Sequence, residues 1–190
     1  MMKKCWLLIG LMMLSTAVFT GNCAPLPFLK NGLDLSNVQS CQMSFQQCPK
    51  LGPFVDSQCV TNTVNTTPAC QQLGKLSLST GVNANFINAS KVKNVTILRL
   101  TYPADGKNTY RVIDAQGCLI DLAPAQYLEK NQIAVMSRGP IVTQNQAQQT
   151  IVIQRVQVKN CVACPVVKHF STQSMFDNQG NYQSTGLLNQ

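Results

Sequence analysis

The number and placement of the cysteines constrain the fold of this chain more than any other feature. Nine cysteines occur in 190 residues, and the first, Cys5, lies in an apolar leader. The remaining eight are an even number, and exported proteins with an even number of cysteines usually pair all of them in disulfides. They are Cys23, Cys41, Cys48, Cys59, Cys70, Cys118, Cys161 and Cys164. We therefore predict that all eight are paired, although their spacing alone does not select the connectivity.

The first residues have the organisation of a secretory signal peptide. Residues 1–4 carry two lysines, and an apolar stretch follows over residues 5–14. Ser15-Thr16-Ala17 then offers small residues for a signal peptidase, and the apolar run is shorter than the roughly 20 residues of a membrane span. We expect residues 1–17 to be a cleavable signal, with a boundary that could extend to 22–24, and the mature chain to be exported.

Cys23 introduces an alternative, because a cysteine shortly after an apolar leader is where bacterial lipoproteins carry a diacylglycerol anchor. The preceding residues, Thr20-Gly21-Asn22, depart from the lipoprotein pattern at both the aliphatic and the last small position. Lipidation would also leave an odd number of cysteines and hence one free thiol. We therefore favour plain cleavage, and we expect membrane association only through a partner or through a lipid on Cys23.

Cys161-Val-Ala-Cys164 is compatible with a structural disulfide, a redox dithiol or half of a metal site. A thioredoxin-type dithiol stands at a helix N-terminus, and the residues after Cys164 form a poor helix. A zinc site would need His169 and a further ligand from elsewhere in the chain. We expect a structural disulfide, no metal and no cofactor, and keep a redox role of the Cys161/Cys164 pair as an alternative.

The segment 18–74 is rich in cysteine and in proline and glycine, and it shows little hydrophobic periodicity. Such a segment buries too little apolar surface to offset its ordering entropy, roughly 1–2 kcal/mol per residue, without cross-links. Disulfides closing loops of this size contribute about 2–4 kcal/mol each. We predict a disulfide-stapled, loop-rich N-terminal segment.

A β-meander is predicted in the middle of the chain. Apolar and β-branched runs over residues 94–102, 109–114 and 118–122 read as three short strands. Turn chemistry separates them at 103–106, with proline first and glycine last, and at 115–117. Antiparallel pairing of successive strands follows from the short connections.

Other patterns extend this β-rich region over residues 75–170. Residues 75–79 alternate leucine with polar neighbours, 133–136 form a short apolar run, and 150–159 form the longest β-branched run. On that longest run, either Gln154 or Arg155 belongs to the solvent face. A helical turn or two is predicted at 124–130. We expect a mainly β fold with a small antiparallel sandwich or barrel-like core.

Residues 171–190 are polar, and Phe176, Tyr182 and the pair Leu187-Leu188 are the exceptions. Most polar termini are mobile, although a few add a strand to the sheet of a partner. We expect a flexible tail.

No catalytic constellation is visible in the sequence. His169 is the one histidine, so any triad of the serine or cysteine type would have to include it. Several of the seven acidic residues fall in turns, where aspartate commonly binds the backbone. Asp114 and Asp121 flank the third meander strand, but that is too little to predict a two-carboxylate hydrolase. We expect no catalytic residues and no enzymatic activity.

The charge of the chain argues against nucleic-acid binding. The formal net charge is +8, and removing Lys3 and Lys4 with the leader leaves +6. Lysine and arginine are scattered singly, whereas nucleic-acid binders usually cluster them and interleave aromatic residues. Mild attraction to acidic surfaces is the more direct meaning of this charge.

These features together favour an exported, non-catalytic binding or assembly component of a bacterial cell envelope. We expect it in the periplasm or at the outer membrane, with other envelope or secreted proteins as partners, in the manner of a secretion or surface-assembly subunit. Two alternatives remain open: an exported thiol-disulfide oxidoreductase, and a fully secreted effector or ligand-binding module acting extracellularly.

Overall fold

A computed structural model describes residues 23–102, 107–136 and 138–188. The predicted signal peptide, most of its possible extension and the predicted turn at 103–106 lie outside these ranges. Among the described residues, no helix combines the length and the apolar character that crossing a bilayer requires.

Three helices occupy the N-terminal part of the described chain: α1 (Leu35–Phe45), α2 (Ser57–Thr66) and α3 (Gln71–Thr80). The disulfide-linked segment is therefore helical, and the expectation of a loop-rich segment was wrong. Asp34 and Asp56 explain part of the difference. Each is an N-cap whose carboxylate accepts hydrogen bonds from the backbone N–H groups two and three residues further on.

The alternating leucines of residues 75–79 also lie in a helix and not in a strand. Leu73 and Leu76 are fully buried on the inner side of α3, whereas Leu78 is 87% exposed. The buried pair has the three-residue spacing of a helix, and its first member, Leu73, precedes the alternating residues 75–79. The change in composition near residue 75 therefore falls inside α3 and marks no end of an element.

Two disulfides hold these helices together. Cys41 of α1 is bonded to Cys70, which directly precedes α3, and Cys48 after α1 is bonded to Cys59 of α2. Between Cys48 and Cys59 the chain forms a two-stranded hairpin of β1 (Lys50–Leu51) and β2 (Phe54–Val55). The cross-links thus fix helix against helix, where each helix alone is too short to be stable in water.

The predicted meander is confirmed as part of a four-stranded antiparallel sheet. Its strands follow chain order: β3 (Ile87–Val92), β4 (Val95–Tyr102), β5 (Lys107–Ile113) and β6 (Leu119–Asp121). Strand β3 was not predicted. It pairs with β4 along its whole length, so pairing and not its own pattern defines it.

The second half of the chain forms a five-stranded antiparallel sheet. Its strands are β7 (Ile133–Val135), β8 (Ile141–Gln144), β9 (Thr150–Lys159), β10 (Val166–Phe176) and β11 (Tyr182–Leu187). The order is β11-β10-β9, after which β7 and β8 pair with different parts of the same edge of β9. The predicted strands at 133–136 and 150–159 are confirmed, while the helical turn is limited to Ala125–Tyr127.

The elements stack in three layers, with the four-stranded sheet between the helices and the five-stranded sheet. Leu98 and Leu100 of β4 pack into the helical core. Ile97 of the same strand packs into a second core with Val152 and Val156 of β9. The two larger sheets therefore form the predicted sandwich, and the described residues form no closed barrel.

The C-terminal residues are not a flexible tail. Residues 171–176 belong to β10 and 182–187 to β11, and Phe176 is completely buried. The prediction was wrong because these polar residues are buried, and their hydroxyls form hydrogen bonds inside the sandwich. Thr172 donates to the carbonyl of Leu122, and other buried hydroxyls pair across β10 and β11.

The turn between β10 and β11 depends on Asp177. Partial burial raises the pKa of this carboxyl, but hydrogen bonds donated by the Asn181 side chain and by backbone N–H groups leave the pKa below its usual value. A lowered folded-state pKa means that the stabilisation is present above about pH 4 and is lost as the pH falls through the folded-state pKa.

We therefore expect Asp177→Asn to lower the free energy of unfolding at pH 7 and to have a diminishing effect under acid conditions. Urea denaturation of both proteins between neutral and acid pH measures the difference. A deficit of the same size at every pH would show that the charge of Asp177 is not what stabilises the turn.

Candidate functional site

All eight cysteines that were predicted to be paired are disulfide-bonded. In addition to the two bonds among the helices, Cys23 is bonded to Cys118 and Cys161 to Cys164. The Cys23–Cys118 bond joins the start of the described chain to the residue directly before β6. It occupies the sulfur that a lipid thioether would need, so the lipoprotein alternative and this structure exclude each other.

The Cys161–Cys164 disulfide closes the tip of the hairpin between β9 and β10. Cys161 is exposed, and the chain continues from Cys164 through a proline into β10 and not into a helix. The helix N-terminus that lowers the pKa of a redox-active thiol is therefore missing from this position. Within the described ranges, no three histidine, cysteine or acidic side chains group as metal ligands would.

Most of the described acidic residues are occupied in holding the backbone. They cap helices or close turns: Asp34, Asp56, Asp114, Asp121 and Asp177. Asp114 is buried and accepts hydrogen bonds from the N–H groups of Gln116, Cys118 and Tyr182. Asp121 instead accepts from its own following turn. These carboxylates serve as structural acceptors, which is the role aspartate commonly has in turns.

One of the cavities lined by described residues is a groove on the five-stranded sheet. We define the open face as the face of that sheet turned away from the sandwich core. The groove on it has a volume of about 810 Å³ and is lined by Arg138, Ile141, Ile153, Arg155, Val156, Gln157, His169, Phe170, Ser171 and Leu188. A concave surface of this size is large enough to hold part of a partner molecule.

Strands β9 and β10 provide the floor of the groove. Ile153, Arg155 and Gln157 occupy alternate positions of β9 and therefore point to the same face. In the register of the sheet, Ser171 lies opposite Arg155 and His169 lies opposite Gln157. The floor thus changes along β9 from apolar to cationic and then to neutral polar.

One end of the groove is apolar. Ile141 of β8 lies directly opposite Ile153 and is 53% exposed. A third apolar side chain, Leu188, lies on the opposite side of the groove: it follows β11, is 37% exposed, and its N–H group donates a 2.9 Å hydrogen bond to the carbonyl of Ser171. Large apolar side chains held at the surface beside polar ones are typical of a recognition surface.

Gln154 holds the backbone of both arginines in the groove. Its side chain is completely buried on the core side of β9, and its Nε2 donates to the carbonyls of Arg138 and Arg155 at 3.1 and 2.7 Å. Arg138 lies in the connection between β7 and β8, beside the stretch of β9 that pairs with β10 alone. One buried amide therefore holds together the backbone of two arginines from different elements beside the same groove.

The groove is cationic, and no acidic side chain of the described residues lines it. Both arginines are exposed. Among the residues that the structure describes, neither guanidinium has a carboxylate within ion-pairing distance. An arginine in this state offers its fork of N–H donors to an anionic group of a ligand.

Only part of this site was identified from the sequence. His169 was singled out as the one histidine, and the structure places it in the groove, apart from the described acidic residues that hold turns. The choice between Gln154 and Arg155 on the outer face is settled in favour of Arg155. Arg138 and Leu188 were missed, because pairing of distant strands brings them to the groove. The signal that the sequence offers is Gln154, a polar residue among the valines on the buried face of β9.

The chain matches no family model, and no curated protein and no solved structure shows significant similarity to it. The class of protein therefore follows from the molecule itself. Four disulfides indicate a protein of an oxidising, extracytoplasmic environment, built on a mainly β fold.

Proposed function

We propose that this chain is an exported, non-catalytic binding or assembly component of a bacterial cell envelope. In this proposal a partner protein docks in the groove on the open face of the five-stranded sheet. The observation that carries the proposal is the groove itself, because it combines exposed apolar side chains with two arginines whose backbone carbonyls accept hydrogen bonds from one buried glutamine.

The contrast between the two faces of the sheet supports this role. The core face of β9 is closed by Val152, Val156 and Val158, which are all buried. The open face keeps Ile153 half-buried and Ile141 exposed. Burying such side chains against a partner is favourable by about 25 cal/mol per Å² of apolar surface removed from water.

The proposal is tested by cross-linking in intact cells with two matched variants. Ile141→Asp places a charge at the apolar end of the groove, and Leu78→Asp places one on the most exposed leucine of α3. Both positions are exposed, so neither change disturbs a core. We expect the wild-type protein and Leu78→Asp to give the same cross-linked adduct with an envelope protein, and Ile141→Asp to give at least about tenfold less.

Two results would overturn the proposal. One is an adduct of undiminished yield from Ile141→Asp, which would place the contact elsewhere. The other is recovery of the wild-type protein from the culture supernatant without any envelope adduct, which would favour a secreted effector. Folding of each variant is checked by its urea denaturation midpoint, which we expect to match the wild type.

A further inference from the structure

We infer that the groove recognises an extended, acidic segment of the partner protein, in which carboxylate and apolar side chains alternate. This inference rests on the proposed function and specifies the chemistry of the ligand. It follows from the order of side chains along β9, from the charge of the groove and from its apolar end.

The side chains on the open face of β9 repeat with a fixed spacing. Ile153, Arg155, Gln157 and Lys159 are alternate residues of one strand, so neighbours in this row are about 7 Å apart. An extended peptide lying along the strand presents its own alternate side chains at the same interval. The row therefore matches a segment with an apolar residue opposite Ile153 and acidic residues opposite Arg155 and Lys159.

The charge of the groove selects carboxylates. Arg155 and Arg138 face the groove with no acidic lining residue, whereas most described aspartates are hydrogen-bonded within caps and turns. A carboxylate docked here gains charge-assisted hydrogen bonds without displacing an internal partner. Lys159 continues the cationic row beyond the groove, which adds long-range attraction for an acidic segment.

The apolar end selects a protein segment over other anionic polymers. Ile141 and Ile153 form this end, and an anionic sugar or a lipid headgroup would leave them without an apolar partner. A peptide supplies both kinds of side chain two residues apart. Extended peptides that are recognised at a sheet edge use pockets for alternate side chains, and the row on β9 offers the same alternation on the face of the sheet.

The test uses the full mature protein and a fluorescent peptide of Leu-Ser-Glu-Ser repeats, with a matched peptide of Leu-Ser-Gln-Ser repeats. We expect the acidic peptide to bind and the glutamine peptide to bind at least about tenfold more weakly. The double variant Arg138→Gln/Arg155→Gln is expected to lose at least about tenfold in affinity for the acidic peptide.

A second double variant controls for net charge. Lys50→Gln/Lys91→Gln removes the same charge from exposed positions of β1 and β3, away from the open face. We expect its affinity for the acidic peptide to stay within about twofold of the wild type. An equal loss in both double variants would overturn the inference, since the attraction would then be a property of net charge alone.

Vesicles containing anionic phospholipid provide the remaining arm. Arginine-dependent sedimentation with these vesicles, without binding of the acidic peptide, would identify a lipid surface as the ligand and overturn the inference. The proposed function is judged separately. If Arg138→Gln/Arg155→Gln still forms the envelope adduct in cells while Ile141→Asp does not, the docking site stands and its acidic ligand is refuted.

Discussion

Replacing both Cys23 and Cys118 by alanine is expected to lower the free energy of unfolding by about 4–5 kcal/mol. The two cysteines are 95 residues apart in sequence, so their bond closes a longer loop than the other three disulfides. In the chain-entropy description, a longer loop removes more conformations from the unfolded state. A loss of this size is a large part of the stability of an ordinary domain.

The Cys161–Cys164 disulfide is the matched control, because its cysteines are only three residues apart in sequence. Replacing both by alanine is expected to cost only about 1–2 kcal/mol. Urea denaturation without reductant measures both variants against the wild type. If the short loop at the hairpin tip proved as costly to open as the long one, loop closure would not be what these disulfides contribute.

Replacing Phe176 by alanine is expected to lower the free energy of unfolding by about 3–5 kcal/mol. The side chain is completely buried at the end of β10, and its ring centroid lies 5.8 Å from that of Tyr182. Truncation leaves a cavity between the sheets of the sandwich and removes this ring contact. The prediction also tests whether the C-terminal strands are integral to the fold.

Met175→Ala is the control for this experiment. Met175 precedes Phe176 on the same strand but points to the open face and is half-buried. Its truncation is expected to cost about 1 kcal/mol or less, since it leaves no enclosed cavity. Equal denaturation midpoints for Phe176→Ala and the wild type would mean that residues 171–188 detach from the sandwich in solution.

The features predictable from sequence were those set by neighbouring residues. Turn chemistry and β-branched runs defined the meander of β4, β5 and β6, and β9 was found with the bounds that the structure gives. Cysteine parity predicted that every described cysteine is paired. Connectivity was out of reach, because it depends on which distant segments the fold brings together.

The helices and the C-terminal strands were missed for different physical reasons. The helices have weak amphipathic patterns and depend on aspartate caps and on the disulfides of Cys41 and Cys48. The strands of residues 171–187 look polar, but Thr172 and Ser174 bury hydrogen-bonded hydroxyls. In both cases tertiary contacts override the local pattern.

The groove could be anticipated only in outline. The sequence assigned either Gln154 or Arg155 to the solvent face of one strand, because the alternation of a strand is a local property. Arg138 and Leu188 join Arg155 through strand pairing across the sheet, and Gln154 holds the backbone of both arginines from the opposite face. A binding surface assembled from separate strands carries no contiguous motif in the sequence.

Site-specific photo-cross-linking in intact cells tests most directly that the open face binds a partner. A photoreactive residue is placed at Gln157 in the groove floor, and in a matched protein at Lys91, which is exposed on β3 of the other sheet. The predicted result is one protein adduct from position 157 and none from position 91. An adduct from position 91 alone, or equal adducts from both positions, would contradict the assignment of binding to the groove.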